Sequence, residues 1–77
     1  MEINIISFGK VAEIIQNQQM NISGLRNTDD LKSHLNKIYP ELSGMKYTFA
    51  LNQNIVQQNT EIQENDTVAI MPPFSGG

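Results

Sequence analysis

Apolar and polar positions alternate from the first residues: Ile3 and Ile5 are interleaved with Glu2 and Asn4, the period-2 signature of a half-buried strand over about residues 2–7. Val11, Ile14 and Ile15 then stand at helical spacing and predict a short amphipathic helix, after which Met20 and Ile22 alternate again and predict a second strand ending near Ser23. Gly24 and Asn27 mark a loop. Thr28 is the expected N-cap of the principal helix, with Asp29 and Asp30 in its positive first turn, Leu31, Leu35 and Ile38 as its apolar stripe, and Pro40 as its stop. Tyr47, Phe49 and Leu51 alternate with Thr48 and Ala50 up to a polar turn at 52–54, and Ile55 with Val56 returns as a short strand. A last strand, Thr67 to Met71, follows the turn-forming Glu64, Asn65 and Asp66, with Val68 and Ile70 on one of its faces.

This order of elements places one main helix on one face of a mixed sheet of four or five strands, an α+β architecture whose best match is a β-grasp. In that fold the first and last strands are parallel neighbours at the centre of the sheet, so Phe8 and Met71 come close together on the face without the helix. Ile6 and Phe8 point away from Ile3 and Ile5, as Met71 points away from Val68 and Ile70. The open face therefore carries an apolar end, which on a small domain marks a partner site. The competing reading is that the short helix after Phe8 folds over it.

Length and composition narrow the chemistry. Seventy-seven residues make one small domain in which nearly every large apolar side chain is needed for the core. No cysteine is present and His34 is the single histidine, so disulfide, thiolate-metal and histidine-rich sites are not expected, and no metal site is assigned. His34 borders the helix's apolar stripe, a place for a solvated or core-flanking imidazole. Gly9-Lys10 imitates the end of a phosphate loop, but Asn4 stands where its first glycine belongs and Val11 where Ser or Thr belongs. Apolar runs stop at four residues, Val68 to Met71, so no membrane span is expected and a cytoplasmic protein is the default. Net charge is -3, and the acids Glu61, Glu64 and Asp66 are unbalanced by any base after residue 46. A nucleic-acid partner is disfavoured, since it would call for a basic stripe. The imbalance points either to a partner with a basic surface facing the tail or simply to solubility.

What remains is the end, Pro72, Pro73, Phe74, Ser75, Gly76 and Gly77. Two prolines fix φ near about -65° and offer no amide donors, so the last strand stops and the chain leaves as a strut. From Phe74 to Gly77 an extended peptide covers roughly 13 Å, and two glycines pass through a channel too narrow for side chains. The reading is a folded domain over 1–73 and a projecting tail over 74–77, shaped for insertion; the bland alternative is a frayed terminus. A carboxylate is a poor electrophile and needs outside activation, for which an acyl-adenylate serves. Sulfur attack on that carbonyl gives a thiocarboxylate, whereas oxygen or amine attack gives hydrolysis or protein conjugation.

Leu51-Asn52-Gln53 with Ile55-Val56, Asp66, Val68-Ala69, Pro72-Pro73 and Ser75-Gly76-Gly77 resemble the small, sulfur-carrier subunit of molybdopterin synthase, the MoaD family of ubiquitin-like β-grasp proteins. The resemblance spans the chain and is most specific at the diproline–diglycine end; thiamine-pathway carriers of the ThiS type, and ubiquitin-like modifiers, are the alternatives. It implies a chain that is not catalytic alone and binds no cofactor. A MoeB-type adenylyltransferase would use ATP to activate Gly77, a sulfur donor would convert it to the thiocarboxylate, and a MoaE-type large subunit would accept the tail. There sulfur would pass to cyclic pyranopterin monophosphate. The resemblance further implies a partner interface at Phe8, Ile55 and Met71. Two departures stand out: Ala12 where many members carry Arg, so that an ion pair with the activating enzyme is either missing or supplied by Lys10, and Asn65 where Gly is usual between two acids.

Overall fold

A computed structural model describes residues 1–73. The alternating start becomes strand β1 (Glu2–Ser7), followed by a 3₁₀ turn over Gly9–Glu13, strand β2 (Gln18–Asn21) and helix α1 (Thr28–Ile38). A second 3₁₀ turn (Pro40–Gly44) leads into β3 (Thr48–Leu51), β4 (Asn54–Ile55) and β5 (Thr67–Met71). The sheet order is β2-β1-β5-β3-β4, with β1 and β5 parallel and the other pairs antiparallel. The mixed five-stranded sheet with its central parallel pair is the β-grasp arrangement that the pattern predicted.

The core lies between one sheet face and α1. Ile3 and Ile5 of β1, Val68 and Ile70 of β5, and Leu31 and Leu35 of α1 are all buried in one cluster with Val11, Ile15 and Phe49. Burying each such side chain is worth about 1.5–3 kcal/mol, which is why so short a chain spends its branched residues here.

Four local expectations need correction. The N-cap of α1 is Asn27, whose side-chain oxygen accepts the Asp30 N–H at 2.8 Å. Thr28 is instead the first helical residue, and its buried hydroxyl accepts the Thr60 N–H at 3.0 Å, fastening the helix start to the segment before β5. Ile38 is 45% exposed because the helix ends there, and the chain folds back through the turn that buries Leu42. The short helix after Phe8 is a single 3₁₀ turn that buries Val11 but leaves Ile14 half-buried. Lastly, β2 ends at Asn21, although the Ile22 N–H still reaches the Met1 carbonyl at 2.7 Å.

The turns follow their residues. Asn52 and Gln53 have φ of 49° and 74°, two consecutive left-handed residues closing the two-residue β3–β4 hairpin. Asn65, at φ 67°, adopts the geometry that replacing the usual Gly requires.

Ser7 is buried in the core face of β1 and its hydroxyl has no partner among the described residues. A buried hydroxyl left unpaired costs about 1–3 kcal/mol. Ser7→Ala is therefore expected to raise stability by about 1 kcal/mol, read as a higher urea midpoint at unchanged slope. A lower midpoint would show that the hydroxyl is satisfied in solution.

Candidate functional site

The strand register assembles the open face. Ile6 pairs with Ala69, Ala69 with Ala50, and Ala50 with Ile55, a row of apolar side chains crossing four strands and spanning about 14 Å at the usual strand spacing. A second row lies toward the C-terminal end of β5. Met71 pairs with Thr48, and the Phe8 N–H bonds the Ile70 carbonyl at 3.0 Å, which brings Phe8 beside Met71. Phe8 and Ile55 are each 51% exposed and Met71 is half-buried. The 3₁₀ turn does not cover Phe8.

All three residues expected at the interface thus share one face, Phe8 and Met71 as neighbours and Ile55 linked to them through the alanines. Half-buried Ile6 and Ala69 complete the band, with buried Ala50 as the link beneath it to Ile55. Their signal was present in the strand alternation, but small alanines carry little weight in a search for anchors. Ile6, Phe8, Thr67 and Ala69 also line a shallow depression of about 380 Å³ with Asn52 and Gln53. An apolar band of this kind with polar neighbours is suited to a protein surface.

The same end of β5 delivers the tail. Pro72 is half-buried and Pro73 exposed. Gly9, the first residue of the 3₁₀ turn, has φ of +60°, and a β-carbon built on it would lie 2.8 Å from Pro72 Cγ and 3.2 Å from Cδ. Gly9 is therefore the seat of Pro72, a role hidden in the sequence behind its false likeness to a phosphate loop. The expected tail residues Phe74, Ser75, Gly76 and Gly77 lie outside the described residues.

Other candidate chemistry stays apart from this end. His34 is half-buried on α1 and borders a depression lined by Gly24, Leu25, Asp30, Ser33 and Lys37. Lys10 and Ala12 are both exposed on the 3₁₀ turn. Burial raises the Tyr47 phenol above its ordinary value, keeping it a neutral donor to Asn36 Oδ1 at 2.9 Å. Among the described residues no three of His, Cys, Asp and Glu converge as a metal site, and no helix is long and apolar enough to cross a membrane.

A five-stranded mixed sheet with one helix on one face and an apolar open face leading into a diproline defines a ubiquitin-like β-grasp protein. Solved structures share this fold: a putative molybdopterin converting factor, subunit 1, from Pyrococcus furiosus superposes with a TM-score of 0.83 at 14% identity, covering 95% of this chain and 98% of that one. One chain of the protein–protein complex of subunits 1 and 2 of the molybdopterin-converting factor from Helicobacter pylori matches at TM-score 0.70 and 22% identity, covering 100% of this chain and 100% of that one. Among curated proteins, the molybdopterin synthase sulfur carrier subunit of Chlamydomonas reinhardtii is 34% identical over 83 aligned positions, covering 100% of each chain. The ThiS family pattern matches residues 5–77, and the chain belongs to that family.

Proposed function

We propose that this chain is the sulfur-carrier subunit of a molybdopterin synthase. The observation that carries the reading is the full-length match, at 34% identity, to the sulfur carrier subunit of Chlamydomonas reinhardtii, joined to a fold that places an apolar open face beside the exit of Pro72-Pro73. The Gly77 carboxylate attacks the α-phosphate of ATP in a MoeB-type partner, releasing pyrophosphate and forming the acyl-adenylate. A donor supplying sulfur at the sulfide level then attacks the carbonyl as hydrosulfide, the C–O bond to AMP breaks, AMP leaves, and Gly77 becomes a thiocarboxylate. The open face, through Phe8, Ile55 and Met71, seats the chain on the large subunit, and Pro72 to Gly76 extend the sulfur into that subunit's pocket. The catalytic side chains belong to the partners.

Intact-mass analysis after incubation with the adenylyltransferase, ATP and a sulfur donor is expected to show an oxygen-to-sulfur increase confined to the Gly77 peptide. That increase disappears, and molybdopterin forms, once the large subunit and the pterin precursor are added. Plain carboxylate throughout would overturn the reading. Sulfur passing to a thiamine precursor in place of the pterin, or Gly77 joined to lysines, would assign the chain to one of the two alternatives.

A further inference from the structure

Two of the acids that unbalance the C-terminal half, Glu64 and Asp66, lie at the start of β5, the end opposite to Pro72. Asp66 precedes β5, where it accepts from Asn52 Nδ2 at 2.9 Å and from the Gln63 N–H at 2.7 Å, and Glu64 accepts from the Glu2 N–H at 3.2 Å. The five residues of β5 separate that cluster from the tail root by about 16 Å. At the root itself the lining is basic. A groove of about 380 Å³ is bounded by Pro73, Lys32, Lys46, Tyr47, Asn36 and Met45, among others, and among the described residues no carboxylate lines it. Lys32 Nζ lies 5.6 Å from the centre of the Tyr47 ring, a cation–π distance that holds the ammonium on this side of the helix. Two of the five basic residues of a chain with net charge -3 thus meet at the base of its tail.

We infer that this basic groove docks an acidic side chain at the mouth of the large-subunit pocket that receives the tail. The inference rests on the sulfur-carrier reading above. A partner that draws Gly77 into its active site must bring the rim of its pocket against Pro73, where Lys32 and Lys46 stand. A carboxylate on the rim would be steered in by the two ammonium groups, which act at a distance where the apolar open face does not. Charges at a rim govern the rate of association and its salt dependence more than the lifetime of the complex.

The test compares Lys46→Glu with Lys37→Glu. Lys37 borders the depression beside His34, and both substitutions change the net charge by the same amount. Stopped-flow association with the large subunit of the same host is measured across a salt series. Lys46→Glu is expected to slow association about tenfold at low salt and to flatten its salt dependence, with dissociation nearly unchanged. Lys37→Glu is expected to stay within about twofold of the unaltered chain. Equal rates for the two variants would overturn the groove while leaving the carrier reading intact. If the unaltered chain itself fails to bind the large subunit, both fall together.

Discussion

Adding a single alanine after Gly77 is expected to abolish sulfur transfer while leaving the urea unfolding midpoint unchanged. The carboxyl group to be activated would then belong to a methyl-bearing residue, and the reacting carbon would stand about 3.3–3.6 Å further along an extended chain. Displacements near 1 Å in a catalytic constellation already cost on the order of 10²-fold in rate, so one residue of overshoot exceeds what a positioned adenylyltransferase can absorb. On the proposed reading the added methyl would also have to enter a channel that admits two glycines because they have no side chain. Activation is read as pyrophosphate release and loading as thiocarboxylate mass, and both are expected to fall below detection. Retention of either would show that the terminus is not the working group.

Much of this arrangement was legible in the chain before any coordinates. Strict alternation at Ile3-Ile5 and Val68-Ile70 carries two facts at once, the strand and the face that meets the helix, because each buried partner repeats every second residue. The parallel pairing of β1 and β5 followed from fold topology, and the neighbourhood of Phe8 and Met71 followed from that pairing. Illegible were isolated apolar residues with no period to announce them. Leu42 and Ile62 are buried in a 3₁₀ turn and beside a lone bridge, and their places are set by tertiary packing and by single backbone hydrogen bonds to Tyr39 and Arg26.

The candidate site divides in the same way. Its exposed anchors could be placed on a face by alternation, whereas its electrostatics were misleading when read along the chain. Glu61, Glu64 and Asp66 are close to the tail in sequence, but β5 carries the chain across the sheet before the tail begins. The lysines at the tail root come instead from α1 and from the residue two before β3. Linear charge maps to space only within one element. Gly9 was hidden for another reason: its constraint is a contact with a residue 63 positions away, which no local pattern encodes.

That contact leads to the second large effect. Alanine at position 9 has to bear φ +60° and a β-carbon 2.8 Å from the Pro72 ring. The left-handed conformation alone costs about 1–2 kcal/mol, and at this size each kcal/mol lowers Tm by about 4–8 °C. Relief of the clash moves either the 3₁₀ turn, which is anchored by fully buried Val11, or Pro72, and the half-buried ring, with less packing to lose, is the easier to displace. Gly9→Ala is therefore expected to lose more sulfur transfer than stability, with kcat/KM for transfer down on the order of tenfold or more at temperatures where the variant is fully folded. Gly24 supplies the control, since it has φ +82° with nothing within 4 Å of its built β-carbon. Gly24→Ala suffers the same backbone strain without touching the tail, so its Tm is expected to fall comparably while transfer stays at the unaltered rate. Matching transfer rates in the two folded variants would show that the Pro72 seat does not aim the tail.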